Sequence, residues 1–296
     1  MYNQIDSNKR DTFILISVFL LFIIIIAWII DYYYNISWII PLALFISLLQ
    51  VWVSYYYSDR ITLSISGAKE INHDDFPELY HIVENLCIAG GLPMPRIYII
   101  EDSAPNAFAT GRDPKNAVIC VTRGLLDKLN RSELEGVIAH ELSHIGNYDI
   151  LIMTVVVVLV GLVALISDIF LRNSMGFRSK DNDSENNRSA AVFQIIALLF
   201  IILSPIIANL IKLAISRKRE YLADANGALL TRYPEGLASA LEKISADTEP
   251  LEAANKATAH LYITNPLKEH SSFLNNMFDT HPPAEERIKR LRGMLS

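Results

Sequence analysis

The sequence predicts a mainly α-helical protein with a small β-sheet, an α+β chain in which four hydrophobic helices accompany a water-soluble part. Three observations predict it. Four long apolar runs divide the 296 residues. The stretches between them carry amphipathic helix patterns and a few short β-rich runs. One of those helical stretches holds His140-Glu141-Leu142-Ser143-His144. Hydrophobic residues make up 51% of the chain and the mean hydropathy is +0.27, with the apolar residues gathered in blocks rather than dispersed.

Residues 1–12 are polar and carry Lys9 and Arg10. Phe13 to Ile30 then runs without a charge, and Ile36 to Val53 is a second run. Each is near or above the roughly 18 residues that suggest a membrane span. The connector Asp31-Tyr32-Tyr33-Tyr34-Asn35 has no Lys or Arg and three aromatics suited to an interface, so residues 1–57 read as a transmembrane hairpin. The first run is too long for the core of a signal peptide, and no small-residue cleavage site precedes the second. The positive-inside rule puts residue 1 and the chain after Tyr57 in the cytoplasm.

Residues 58–149 read as a water-soluble segment. Asp74, Asp75 and Pro77 mark a helix start, Leu79, Ile82, Val83 and Leu86 give it an apolar face, and Gly90-Gly91 end it. Arg96 to Ile100 is a short strand. Asn106–Gly111 and Ala117–Thr122 flank a polar turn and predict a hairpin beside the histidine helix. An exposed edge strand there would hold an extended peptide by β-addition. Ser132-x-x-Glu135 predicts a capping box for the histidine helix, and Gly146-Asn147 ends or breaks it.

Ile150 to Leu171 and Ala190 to Ile215 are the third and fourth runs, which define a second hairpin, 150–215, with a polar connector at 172–189. Residues 216–296 return as a helical part. If both runs cross the membrane, or neither fully does, residues after Ile215 lie on the same side as His140. Leu237, Ala240, Leu241 and Ile244 mark one amphipathic helix. Asp279-Thr280-His281-Pro282-Pro283 leads into another at Ala284–Leu295.

The chemistry starts from H-E-x-x-H. On a helix the two histidines stand one turn apart on one face, so their imidazoles can take two corners of a tetrahedral zinc. Glu141 sits beside that metal without ligating it, where it can take a proton from a water the metal has acidified. The competing reading, a solvated helix face, fits poorly with Val137, Ile138 and Leu142 around the pair. Glu220 supplies a third ligand and completes a His2Glu set, the catalytic rather than the structural kind. On its own it also reads as a surface carboxylate paired with Arg217 or Arg219. Asp224, one turn on, can hold a ligand imidazole by hydrogen bond, and Asp149 and Arg217 are further candidates for such support. His73, His81, His260 and His270 have no ligand-like spacing.

Taken together, HELSH…NYD, SRKREYLADANGA, the upstream NAFATG and the late THPPAEERI resemble the HtpX family of bacterial membrane-bound zinc endopeptidases, relatives of the eukaryotic prenyl-protein (CAAX) protease. The resemblance spans nearly the whole chain and implies a zincin-type metalloprotease domain with one zinc per subunit on His140, His144 and Glu220. It implies Glu141 as catalytic base and Asn106 and Phe108 beside the substrate groove. It further implies a multi-pass protein of the bacterial plasma membrane, with its active site and both termini cytoplasmic. Its substrates would be unfolded or damaged membrane proteins. His281 would come near the site and aid substrate or oxyanion binding; the alternative is a turn histidine ahead of a proline-started helix.

Composition excludes other classes. A net charge of −6 argues against general nucleic-acid binding, and Cys87 and Cys120, without C-x-x-C, suggest neither a disulfide framework nor thiolate ligation. Arg131, Glu133, Glu135, Asn147 and Asp149 make the motif too polar for an intramembrane protease. A non-catalytic membrane metal-binding or scaffold protein would not need Glu141. The sequence carries no indication of oligomeric state.

Overall fold

The computed structural model describes residues 2–35, 38–159, 216–254, 258–264, 266 and 282–295. The rest of the third apolar run, its connector, the fourth run, His270 and His281 lie outside the described residues. Most of the described chain is helical, around a small mixed sheet.

Helices α1 (Tyr2–Tyr34) and α2 (Ile39–Ile65) pack side by side. At 1.5 Å per residue α2 is about 40 Å long, and it is long and apolar enough to cross a membrane. Its face bearing Phe45, Ile46, Leu48, Leu49 and Trp52 is exposed, an apolar wall that water does not suit. The helix continues past Val53, where the apolar run ends. These last turns bury Ser54, Ser58, Thr62 and Leu63, and Asp59 takes Arg96 at 2.7 Å. The helix therefore docks on the sheet instead of ending in a linker.

The sheet holds β1 (Lys69–Glu70), β2 (Arg96–Ile100), β3 (Ala107–Thr110) and β4 (Val118–Thr122), in the order β1-β2-β4-β3. Strands β3 and β4 form the antiparallel hairpin, with Phe108 opposite Cys120, and β4 runs parallel to β2. Strand β1 carries no apolar signal of its own: it is two exposed polar residues pairing at the edge of β2. Both faces of β4 are covered. Ile119 and Val121 join the larger core with α3 (Pro77–Gly90), whereas Val118 and Cys120 join a second core with Phe108, Ile152, Met153 and Tyr262. That is why β4 reads as a continuous apolar run and not an alternating one.

After the short α4 (Arg123–Lys128) comes α5 (Arg131–Gly146), the histidine helix. Its capping box is Asn130 with Glu133, two residues earlier than Ser132 with Glu135. Two boxes overlap in this sequence. The earlier one prevails because Glu133 is buried and also bound by Ser239 at 2.6 Å and Lys243 at 2.7 Å, while Glu135 stays outside and pairs with Arg131. The helix then breaks. Helix α6 (Asp149–Leu159) leaves α5 at 83°, with Tyr148 at φ 61° between them. Helices α7 (Arg217–Thr231) and α8 (Pro234–Ala246) close over α5, and α9 (Ala284–Arg292) packs on both of them.

The α5–α8 crossing leaves no room for side chains. A Cβ on Gly136 would lie 2.6 Å from the Leu237 backbone nitrogen. Gly136→Ala should therefore cost about 1–3 kcal/mol by overpacking, lowering the melting midpoint by about 2–4 °C per kcal/mol. Gly293→Ala, where a Cβ meets nothing within 4 Å, should melt as the parent does. Thermal melts of both in detergent check the pair.

Candidate metal centre

Helix α7 lies against α5 at Gly227, where a Cβ would sit 3.1 Å from the His140 backbone nitrogen. Helical periodicity puts Asp224 and Glu220 on that same face, one and two turns earlier. The buried positions of α7 are Glu220, Ala223, Asp224, Gly227 and Ala228. In spacing this is an ordinary core stripe. In chemistry it is two carboxylates among residues too small to push them away from the histidines.

The ligand atoms converge. His140 Nε2 and His144 Nε2 are 3.1 Å apart, and Glu220 oxygens lie 3.7 Å from the first and 3.5 Å from the second. Ligands about 2.0–2.1 Å from a zinc are about 3.3–3.4 Å from one another at tetrahedral angles, so the three residues fit the ion. His140, His144 and Glu220, all buried, form a candidate metal site.

Behind each imidazole stands a carboxylate. Asp224 Oδ1 is 3.0 Å from His140 Nδ1, and Asp149 Oδ2 is 2.9 Å from His144 Nδ1. Each carboxylate keeps the proton on Nδ1 and leaves Nε2 facing the partner ligands. Asp149 reaches His144 because the break at Asn147-Tyr148 turns the chain back across the end of α5.

The motif's late segment contributes Arg287, 1% exposed, and not only a turn. Its Nε and Nη2 donate to both Asp224 oxygens at 2.9 and 2.7 Å, and its Nη1 donates to the Ile263 carbonyl at 2.9 Å and lies 3.6 Å from Glu220. Its position could have been read from the sequence. Arg287 falls four residues before Leu291, on the helix face that Ile288 and Leu291 mark as buried, and an arginine there needs a buried partner. Arg217 is exposed and does not reach the cluster. The nearby cation from that helix is Arg219, 3.4 Å from Asp149.

The buried charges displace one another's protonation. Burial works against the charge on Asp224, yet the Arg287 guanidinium and the His140 hydrogen bond outweigh it and hold its pKa below the usual range. Burial alone dominates at His140 and lowers its pKa. Burial pushes the Glu141 carboxyl up to about 7, against the pull of His144, Arg287 and the N–H that Ala109 donates from β3. At His144 burial disfavours the charge, but the Asp149 hydrogen bond and the Glu220, Asp149 and Glu141 charges prevail and raise its pKa to about 9.

Strand β3 is the edge next to this site, but it is not exposed. All four of its residues are buried, and Ile263 N–H donates to the Ala107 carbonyl at 3.0 Å. Asn106 is bound by its own surroundings, its amide donating to the Thr264 carbonyl at 3.2 Å. Phe108 points to the second core, edge-on to Tyr262 with ring centroids 5.0 Å apart. The segment 258–264 covers the edge because Tyr262 and Ile263 complete the two cores that β3 separates.

Residues 73–295 match the model of peptidase family M48. The chain belongs to that family, among its HtpX proteases. It is 48% identical to a protease HtpX homolog of Dictyoglomus thermophilum over 297 residues, covering 99% of this chain and 94% of that one. It is 47% identical to the homolog of Thermoanaerobacter pseudethanolicus, with 99% and 98% covered. The crystal structure of S. mikatae Ste24p shares the fold, with a TM-score of 0.50 at 21% identity over 98% of this chain and 67% of that one. The chain is thus a metalloprotease, and its HtpX relatives together with the apolar helix α2 support association with a membrane.

Two measurements test the centre. With a pKa of about 9, His144 without a metal is protonated at neutral pH and must lose that proton to ligate. Zinc affinity should then rise with pH, by up to about tenfold per unit, and level off near pH 9. Competition titrations at several pH values read this directly, and a flat profile would contradict it. Arg287→Met removes the cation facing two buried carboxylates and should weaken zinc about 10–100-fold, scored by chelator competition on folded protein.

Proposed function

We propose that the protein is a zinc-dependent endopeptidase of the bacterial plasma membrane that cuts unfolded or damaged membrane proteins at the cytoplasmic face. In this reading His140, His144 and Glu220 hold one zinc, and both apolar hairpins, 1–57 and 150–215, lie in the membrane. The water-soluble parts, 58–149 and 216–296, then meet in the cytoplasm. The observation that carries the chemistry is the convergence of two imidazoles and a carboxylate within 4.8 Å, with Glu141 next in sequence to one of them.

When bound, zinc would polarise the scissile carbonyl and acidify a water, the two services such a site supplies. The chain does the rest. Glu141 receives a proton from the attacking water as the C–O bond forms, and passes it to the amine as the C–N bond breaks. The Ala109 N–H fixes the Glu141 carboxylate for both transfers. Asp149 and Asp224 orient the imidazoles, and Arg287 keeps Asp224 ionised. An extended substrate would run along β3 on the Ala109 side of the Ala107–Ile263 bond, and Asn106, bound to the Thr264 carbonyl, lies on the other side of that bond. An intramembrane protease would need α5 in lipid, whereas α5 is enclosed by α3, α7 and α8. A metal-binding scaffold has no use for a carboxylate held as Glu141 is.

Glu141→Gln keeps an oxygen for the Ala109 N–H, so the variant should bind zinc fully and leave casein or itself uncut. A zinc-loaded Glu141→Gln protein that still cleaves would sink the assignment. Glu220→Ala should lose zinc as well as activity, and unchanged metal stoichiometry would remove Glu220 from the ligand set.

A further inference from the structure

The family match begins at residue 73, yet one buried contact of the metal centre comes from residue 8. Asn8, in the polar start of α1, is 1% exposed. Its Nδ2 donates to Asp149 Oδ1 at 2.6 Å and to the Asn147 carbonyl at 2.9 Å, while its Oδ1 accepts from Arg219 Nε at 2.9 Å. The other oxygen of the same Asp149 carboxylate is the one that holds His144. Arg219 in turn precedes Glu220 in the chain. A single amide therefore touches the supports of two of the three candidate ligands.

The residue type suits the place. Two donors face two acceptors and the acceptor faces a cation, a set that only an amide on a short stem provides. An aspartate would put a second anionic oxygen against Asp149, and an alanine would leave the carbonyl of Asn147 and the guanidinium of Arg219 without this partner. The neighbours of Asn8 close on the same break between α5 and α6. Lys9 Nζ lies 4.4 Å from the ring centroid of Tyr148, the residue at φ 61°, and Asp11 is 3.6 Å from Arg219. Thr12 Oγ1 donates to the Asn8 carbonyl at 2.8 Å and pins that turn of helix.

We propose that Asn8 is a positioning residue of the metal centre: the N-terminal helix, outside the residues 73–295 that the family model matches, fixes Asp149 and through it the His144 imidazole. This rests on the reading of His144 as a zinc ligand. Carboxylate orientation decides where the His144 Nε2 lone pair points, so loosening Asn8 loosens a ligand with every ligand still present. The contact is also reciprocal, since whatever shifts the start of α1 shifts zinc affinity, and zinc steadies that turn of α1.

The test uses the full chain in detergent, with Asn8→Ala and the near-isosteric Asn8→Asp, and Asp6→Ala as an exposed control on the same helix. Two readouts apply: the rate of zinc loss to a chromophoric chelator, and the visible spectrum of the cobalt-substituted protein, which reports ligand geometry. Both Asn8 variants should lose zinc about tenfold faster and shift the cobalt bands, while Asp6→Ala matches the parent. Exchanging the pair, Asn8→Asp with Asp149→Asn, should recover part of the loss relative to Asn8→Asp alone. If Asn8→Ala does not fold, Asn8→Asp and Asn8→Ser carry the same readouts. Parental zinc-loss rates and cobalt spectra in the Asn8 variants, whatever their melting temperatures, would overturn this inference alone. A parent chain that takes up no zinc would overturn the proposed function with it.

Discussion

Four carboxylates, Glu141, Asp149, Glu220 and Asp224, are buried around two histidines, none more than 3% exposed. Burying one such charge costs several kcal/mol even after relaxation, and placing four together adds repulsion. Among the described residues, Arg287 and Arg219 are the permanent cations in reach. Four negative charges against two positive leave a deficit of two, which one divalent cation matches. Without that ion, protons make up the difference, and the raised pKa of His144 among these carboxylates expresses it. The deficit favours a divalent cation at the site, whereas the basicity of its Glu141 comes from burial.

Such crowding demands particular backbone. Glu220 and Asp224 reach the histidines because Gly227 and the alanines beside it let α7 lie against α5. Asp149 reaches His144 because the chain accepts a left-handed Tyr148, a conformation that costs about 1–3 kcal/mol for such a residue. The compensation is local: the Lys9 ammonium over the Tyr148 ring, the Asn8 amide on Asn147 and the paired carboxylate itself. Strain and catalytic geometry occupy the same three residues.

What was legible in the sequence follows from this. H-E-x-x-H and Glu220 could be read because zinc chemistry restricts both residue type and spacing, and Asp224 because helical periodicity ties it to Glu220. The edge strand and hairpin could be read from their turn residues, but not the covering of that edge, since 258–264 has no regular pattern to announce it. The register of the α5 cap turned on which of two glutamates would be buried, a tertiary fact. Arg287 was within reach, as a charge at an apolar position of α9. Asn8 was not: nothing local distinguishes it from the polar residues around it, and its partners lie 139 to 211 positions away in sequence.

That long separation bears on how the enzyme meets a membrane. Helix α2 passes from its apolar stretch through an aromatic group at Trp52, Tyr55, Tyr56 and Tyr57 and docks on the sheet through Asp59 and Arg96. Aromatic rings of this kind favour the boundary between lipid and water. Helix α1 begins at the metal centre and α2 ends at the sheet, so each of these two helices meets the protease part as continuous helix. A displacement of α1 is carried to Asp149 through the Asn8 amide.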